Sequence, residues 1–199
     1  MNPASEISAF VLAGGHSSRM GSDKAFLQLD GRSLAEHVLA LARSITPNVY
    51  LVGPRDKLSK LGPVVEDLLP GCGPLGGIHA ALRTSSTDLN LVLAVDVPFI
   101  AEKFLRFLVS SAQQSDAIVT VPKSRQGWQP LCAVYRREFA DIAEQALIAG
   151  RYRVDALFAS VPVLAIDESE LARLAFDPAM FDNLNSPEDW ERAQRNLRS

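Results

Sequence analysis

Apolar residues in this chain come in short blocks separated by glycine, proline and acidic residues. Ile7 to Leu12 is one block, and it ends at Gly14-Gly15, so it predicts a buried strand running into a glycine loop. Leu34, Val38, Leu39 and Leu41 through Ile45 come next at helical spacing, with Ser33 placed as the N-cap. Val49 to Val52 is apolar, with β-branched valine at both ends; it stops at Gly53-Pro54 and reads as a second strand. Val64-Val65 ends at Glu66-Asp67 and a loop rich in proline and glycine, Pro70 to Pro74, after which Leu75 to Leu82 resumes the helical pattern. Leu89 to Val95 is the strongest strand signal in the sequence, and Asp96 ends it. Phe104, Leu105, Leu108 and Val109 predict a helix; Ala117 to Val121 and Leu131 to Tyr135 predict two more strands. A helix over Arg137 to Ile148, a late strand over Val161 to Ile166 and a final helix opening at Ser186-Pro187-Glu188 complete the pattern.

Strands separated by helical stretches define an α/β protein, expected here as a single Rossmann-like domain over residues 1–199 with a mostly parallel sheet and helices on both faces. In such sheets ligands bind outside the carboxyl ends of the strands. The residues just past the strand ends therefore matter most, and they include Gly14-Gly15, Asp67 and Asp96.

Composition narrows the partners. The 199 residues are 47% hydrophobic and carry a net charge of −3, with no basic cluster beyond Arg136-Arg137 and the Arg151/Arg153 pair, so no nucleic acid is expected. No apolar run approaches the ~20 residues that span a bilayer. Met1 to Ser5 lacks the basic-then-apolar layout of a signal peptide, and Cys72 and Cys132 form no C-x-x-C motif. Two free thiols and a cytoplasmic address are the expectation.

The stretch from Leu12 to Lys24 is chemically the richest. Glycines at such a turn let backbone N–H groups approach a nucleotide, and Arg19 and Lys24 supply positive charge for phosphate oxygens. The loop is neither a Walker A motif nor the dinucleotide fingerprint G-x-G-x-x-G. Asp96, at the end of a buried apolar run, suits a Mg²⁺ site, since that ion takes one or two carboxylates plus substrate phosphates. The alternative is an N-cap for the next helix, which Pro98 and Phe99 weaken by intervening. Asp67 has two readings, a ligand contact at a strand end or an Asx-type turn former. Gly73 to Gly77 opens a helix whose N-terminus could favour an anion, or whose glycines permit close packing. Asn183 and Asn185 point to one side if extended, or else fix a local turn. Arg151 and Arg153 read as surface charge, His37 as a surface residue, and the three histidines are not spaced as a metal triad.

The segment L-A-G-G-x-S-x-R-M-G-x-D-K, Leu12 through Lys24, resembles the signature of molybdenum cofactor guanylyltransferases. The resemblance continues through Glu66-Asp67, Gly73-Pro74-Leu75-Gly76-Gly77-Ile78, Asp96-Val97-Pro98-Phe99, Gln129 to Tyr135 and Asn183 to Asp189. It implies a sheet of the nucleotide-diphospho-sugar transferase type, and a reaction in which a molybdopterin phosphate attacks the α-phosphorus of GTP with Mg²⁺ as cofactor. By resemblance Leu12, Ala13, Gly14 and Gly15 line the guanosine, and Asp67 and Gly76 also contact the nucleotide. Lys24 meets the phosphates with help from Arg19, Asp96 holds the metal, and Asn183 and Asn185 lie near the pterin or the phosphates. An anionic phosphate nucleophile needs no general base, so positioning and charge neutralisation carry the chemistry. The resemblance leaves room for molybdoenzyme apoproteins or their chaperones as partners. Two departures stand out: Ser186 where many relatives have Thr, and Gly53-Pro54 where some place an Asn against the nucleotide. A cytidylyltransferase acting on the same pterin, a sugar-phosphate nucleotidyltransferase, and a non-catalytic nucleotide-binding delivery protein remain open alternatives.

Overall fold

Side-chain alternation along the central strands sets the architecture. The computed structural model describes residues 7–14, 23–182, 184 and 189. In β1 (Ile7–Leu12), Ile7, Ala9 and Val11 enter one hydrophobic cluster while Phe10 and Leu12 enter another, so both faces of the strand are covered. A 3₁₀ turn over Lys24–Phe26 leads into a hairpin of β2 (Gln28–Leu29) and β3 (Arg32–Ser33). Asp30 and Gly31 turn that hairpin with φ of 48° and 76°, the two positive angles of a type I′ turn.

Helix α1 (Leu34–Ile45) starts on a capping box: the Ser33 hydroxyl accepts from Glu36 N at 3.3 Å, and the Glu36 carboxylate accepts from Ser33 N at 2.8 Å. Next in order are β4 (Val49–Val52), the short α2 (Arg55–Leu58), β5 (Val64–Val65), α3 (Gly73–Thr84) and β6 (Leu89–Ala94). Helix α4 (Glu102–Gln113), β7 (Val119–Ser124), β8 (Gly127–Trp128), β9 (Cys132–Arg136), α5 (Phe139–Ile148), β10 (Val163–Asp167) and α6 (Glu168–Arg173) complete the order.

The main sheet runs β10-β7-β9-β6-β1-β4-β5, with β8 paired to β7. Pairings β6–β1, β1–β4, β4–β5 and β10–β7 are parallel, whereas β9 runs antiparallel to both β6 and β7. All strands except β8 and β9 therefore end on one edge. After β1 the chain lays β4 and β5 on one side and then crosses to place β6 on the other. The crevice between β1 and β6 is thus a topological switch point, where ligands bind in open α/β sheets. Buried side chains of α1, α4 and α6 (Leu34, Phe104, Leu171) join the cluster on one face; those of α3 and α5 (Ile78, Phe139) join the other.

The mostly parallel sheet with helices on both faces is the architecture expected, and the strand and helix blocks fall where the apolar pattern puts them. Differences are local. β7 runs on from Val119 to Ser124 through Pro122, beyond the expected stop at Val121. Pro122 faces Gln129 just past the β7–β8 pair: its carbonyl accepts from Gln129 N at 2.9 Å, and the Gln129 carbonyl, which a proline cannot serve, accepts from Cys132 N at 3.0 Å instead. His37, expected at the surface, is half-buried, with its Nε2 2.6 Å from the Leu29 carbonyl, and it pins the β2–β3 hairpin to α1. The helix expected from Ser186 lies outside the described residues apart from Asp189, which is helical.

Candidate functional site

The site is assembled from the loops that leave β1, β4, β5 and β6 on their shared carboxyl edge. Hydrogen bonds carry the ladder just past the strands: Ala13 N to Val52 O at 2.9 Å, Gly53 N to Val65 O at 3.0 Å, and Val95 N to Leu12 O at 3.2 Å. Leu12 and Ala13 are buried and Gly14 is exposed, so the chain surfaces at the glycine. Gly53 packs backbone to backbone on Gly14. A Cβ on Gly53 would stand 2.9 Å from Gly14 N and 3.2 Å from its Cα, at a φ of 148°. Gly15 and Arg19 lie outside the described residues.

Lys24 and Asp96 meet across the crevice, Nζ to Oδ2 at 2.9 Å, with side chains only 14% and 24% exposed. Lys24 is aimed by the 3₁₀ turn it opens. Asp23 caps that turn by accepting from Ala25 N at 3.4 Å, and Lys57 Nζ on α2 holds the same carboxylate at 2.9 Å. The sequence pattern did not single out Lys57, because nothing local links it to a residue 34 positions away. Asp96 is no helix cap, since α4 begins at Glu102 with Ala101 in the capping position. Its carbonyl instead accepts from Leu184 N at 3.0 Å. Leu184 is buried there; Asn183 and Asn185, which flank it in sequence, lie outside the described residues.

The second carboxylate oxygen of Asp96, Oδ1, is buried and accepts no hydrogen bond from any described residue. An orphaned charged acceptor costs roughly 1–3 kcal/mol or more, and such groups are retained where something else binds them. No group of three or more His, Cys, Asp or Glu gathers as a metal site among the described residues. The donor set therefore fits a cation that takes one or two protein carboxylates and fills its shell with substrate oxygens and water, the habit of Mg²⁺.

Asp67 lies just past β5 on the same edge. Its side chain reaches solvent while the protein behind it desolvates the carboxyl and pushes its pKa above the ordinary range, as at the rim of a cleft. Among the described residues no hydrogen bond ties it to the next turn, which removes the support for the turn-forming alternative. Neighbouring Glu66 is exposed and pairs with Arg55 at 3.0 Å. Gly76 and Gly77 are both buried at the start of α3. A Cβ on Gly76 would lie 3.3 Å from Leu69 O, and one on Gly77 would lie 3.3 Å from Leu12 Cδ2; close packing accounts for both.

Other candidates are placed apart from this chemistry. His79 is buried, meets Arg83 through Nε2 at 3.4 Å, and desolvation draws its pKa down. Arg153 is exposed and pairs with Asp155 at 2.8 Å. Cys72 and Cys132 are both free thiols, and burial pushes the Cys132 pKa up.

A glycine turn, a lysine and a carboxylate converging at the switch point of this sheet define an α/β protein of the nucleotidyltransferase type. The chain belongs to the MobA-like NTP transferase domain family, whose model matches residues 9–163. It is 31% identical over 196 residues to the molybdenum cofactor guanylyltransferase of Desulfosudis oleivorans, covering 97% of this chain and 96% of that one. It is 35% identical over 186 residues to a probable molybdenum cofactor guanylyltransferase of Pelotomaculum thermopropionicum, covering 92% and 90%. Among solved structures it superposes on molybdopterin-guanine dinucleotide biosynthesis protein A from Archaeoglobus fulgidus with a TM-score of 0.85 at 27% identity, over 96% and 98% of the two chains. The likeness to 2-C-methyl-D-erythritol 4-phosphate cytidylyltransferase from Thermus thermophilus, with a TM-score of 0.68 at 18% identity over 96% and 98%, is one of fold alone. Among the described residues no helix is long and apolar enough to cross a membrane.

Proposed function

We propose that this protein transfers GMP from GTP to the phosphate of molybdenum-molybdopterin. The observation that carries the reading is the half-buried Lys24–Asp96 pair at the β1/β6 crevice, beside the exposed Gly14, in a chain whose relatives bear the guanylyltransferase name. A phosphate oxygen of the pterin forms a bond to the α-phosphorus, the bond from that phosphorus to the bridging oxygen of the β-phosphate breaks, and pyrophosphate leaves with the electron pair. Gly14 lets the backbone approach the nucleoside, and Asp67 at the cleft rim contacts it. Lys24, with Arg19, holds phosphate oxygens and neutralises charge as it builds up. Asp96 would hold Mg²⁺, which when bound neutralises the negative charge on the phosphates. Asn183 and Asn185 would contact the pterin or phosphates next to Leu184.

Guanine is favoured because the relatives bear the guanylyltransferase name, and a site that hydrogen-bonds guanine would reject a base that leaves its buried polar groups unpaired. Two free thiols support a cytoplasmic setting, from which the product would pass to molybdoenzyme apoproteins or their chaperones. The test is to mix purified protein, molybdopterin cofactor and Mg²⁺ with GTP, CTP or ATP, and to measure pyrophosphate and dinucleotide product. Release with GTP in clear preference is expected. Preference for CTP would replace the guanylyl reading with a cytidylyl one, and nucleotide binding without pyrophosphate release would point to a delivery protein.

A further inference from the structure

The pairing at the crevice bears on the order in which ligands bind. We propose that Lys24 is a place-holder on the Asp96 carboxylate: it blocks that group to a free divalent cation and releases it only when a nucleotide triphosphate draws the ammonium away. The inference rests on the metal and nucleotide roles given to Asp96 and Lys24 under the proposed function.

Three observations lead to it. Lys24 Nζ sits 2.9 Å from Asp96 Oδ2, so the carboxylate that would hold a cation already faces one positive charge. The pair is only 14% and 24% exposed, so water does little to screen the repulsion an incoming dication meets from the ammonium. No group of three or more His, Cys, Asp or Glu forms around Asp96 among the described residues, and a lysine-neutralised carboxylate outside such a group is a poor site for a free ion. A triphosphate changes each of these terms. Its oxygens offer Lys24 a stronger anionic partner, Asp96 Oδ2 is freed to join the orphaned Oδ1, and phosphate oxygens supply the ligands the protein lacks. Lys24 thereby makes cation binding at Asp96 conditional on nucleotide, a coupling that must be reciprocal.

Direct binding of Mn²⁺, measured by electron paramagnetic resonance with the ion held by free nucleotide subtracted, tests this without any turnover. Wild-type protein should bind Mn²⁺ weakly alone and at least about tenfold more tightly with GTP, an average-sized allosteric coupling. Lys24→Met should bind Mn²⁺ without nucleotide at least about tenfold more tightly than wild type does, and GTP should then add little. Lys60→Met is the control for net charge, since Lys60 is exposed on the surface and belongs to neither the Lys24–Asp96 pair nor the turn that carries Lys24; its Mn²⁺ affinity should stay near that of wild type. The proposal is overturned if Lys24→Met binds Mn²⁺ no better than wild type, or if Lys60→Met gains as much. Failure of the wild type to bind Mn²⁺ even with GTP, or binding that survives Asp96→Asn, would remove the metal role of Asp96 itself.

Discussion

At the edge where the strands begin, Asn90 is fully buried and its amide is engaged on both sides. Its oxygen accepts from the Ser85 hydroxyl and from Thr87 Oγ1 at 3.3 Å, and its nitrogen donates to Asp88 O at 2.9 Å. Thr87 Oγ1 also lies 2.9 Å from the Ser8 hydroxyl, and Thr46 donates to Ile7 O at 2.8 Å, so the network ties β1, β6 and the exit of α1 together. At the opposite edge Asp96 is partly buried too, yet one of its oxygens has no described partner and the other is held by a lysine on a surface turn. The first edge spends its polar groups on internal satisfaction, the second keeps one in reserve. A satisfied network stabilises a fold; an unsatisfied carboxylate beside a cation is a place for something to bind.

Substitutions on the two edges should therefore part company. The largest effect is expected from Lys24→Ala and Asp96→Asn, each lowering turnover by about 100- to 1000-fold, or about 2.7–4 kcal/mol of barrier. Thermal unfolding should show each of them costing less stability than the Asn90 substitution does. Near-normal turnover in a folded variant, or a melting temperature that collapses with Asp96→Asn, would return that residue to a structural role and erase the contrast. Asn90→Ala should do the reverse, costing about 1–3 kcal/mol of stability through its stranded partners. At about 2–4 °C per kcal/mol for a chain of this size, calorimetry will resolve the loss, while turnover at low temperature should stay near normal.

A smaller effect sharpens the contrast at the working edge. Gly53→Ala places a methyl 2.9 Å from Gly14 N, so the nucleotide loop has to shift. Nucleotide affinity should weaken by about 1–2 kcal/mol, a cost typical of backbone strain. Isothermal titration with GTP checks it, and unchanged affinity would show that Gly14's position is not critical.

The smallest expected effect is the pH dependence of Asp67. Its carboxyl is raised by desolvation, so the folded protein holds that proton to higher pH than the unfolded chain does. Protonation thus favours folding, and the stability this group contributes is lost as pH rises from the ordinary carboxylate range through the raised value. Asp67→Asn lacks this titration. Its melting temperature relative to wild type should climb slightly across that window and then level off. A difference that is flat with pH, or falls, would show that Asp67 is not desolvated in the folded protein.

Much of the frame was legible in the order of residues, because it rests on local rules. Short apolar blocks ending at glycine marked the strands at Ile7–Leu12 and Val49–Val52, helical spacing marked the helix Leu34–Ile45, and Ser33 marked its start. The Asp30-Gly31 turn is just as local, but its two-residue strands are too short to show an apolar period. The residues just past each strand, Gly14, Asp67 and Asp96, could be named as the working edge because parallel strands put their carboxyl ends together.

Other features depended on which segments meet in space, and no local pattern encodes that. The reversed β9 at the centre of the sheet, the continuation of β7 through Pro122, and the seat of Leu184 on Asp96 each depend on a neighbour contributed from elsewhere in the chain. Gly53 reads in sequence as a strand stop; only the folded chain shows it pressed against Gly14. Lys24 and Asp96 lie 72 positions apart, and each could be assigned a ligand of its own. Their mutual contact exists because the β1–β6 pairing brings the two loops to one crevice, and the energy that sets that pairing comes from apolar faces buried on both sides of the sheet, not from the charges themselves.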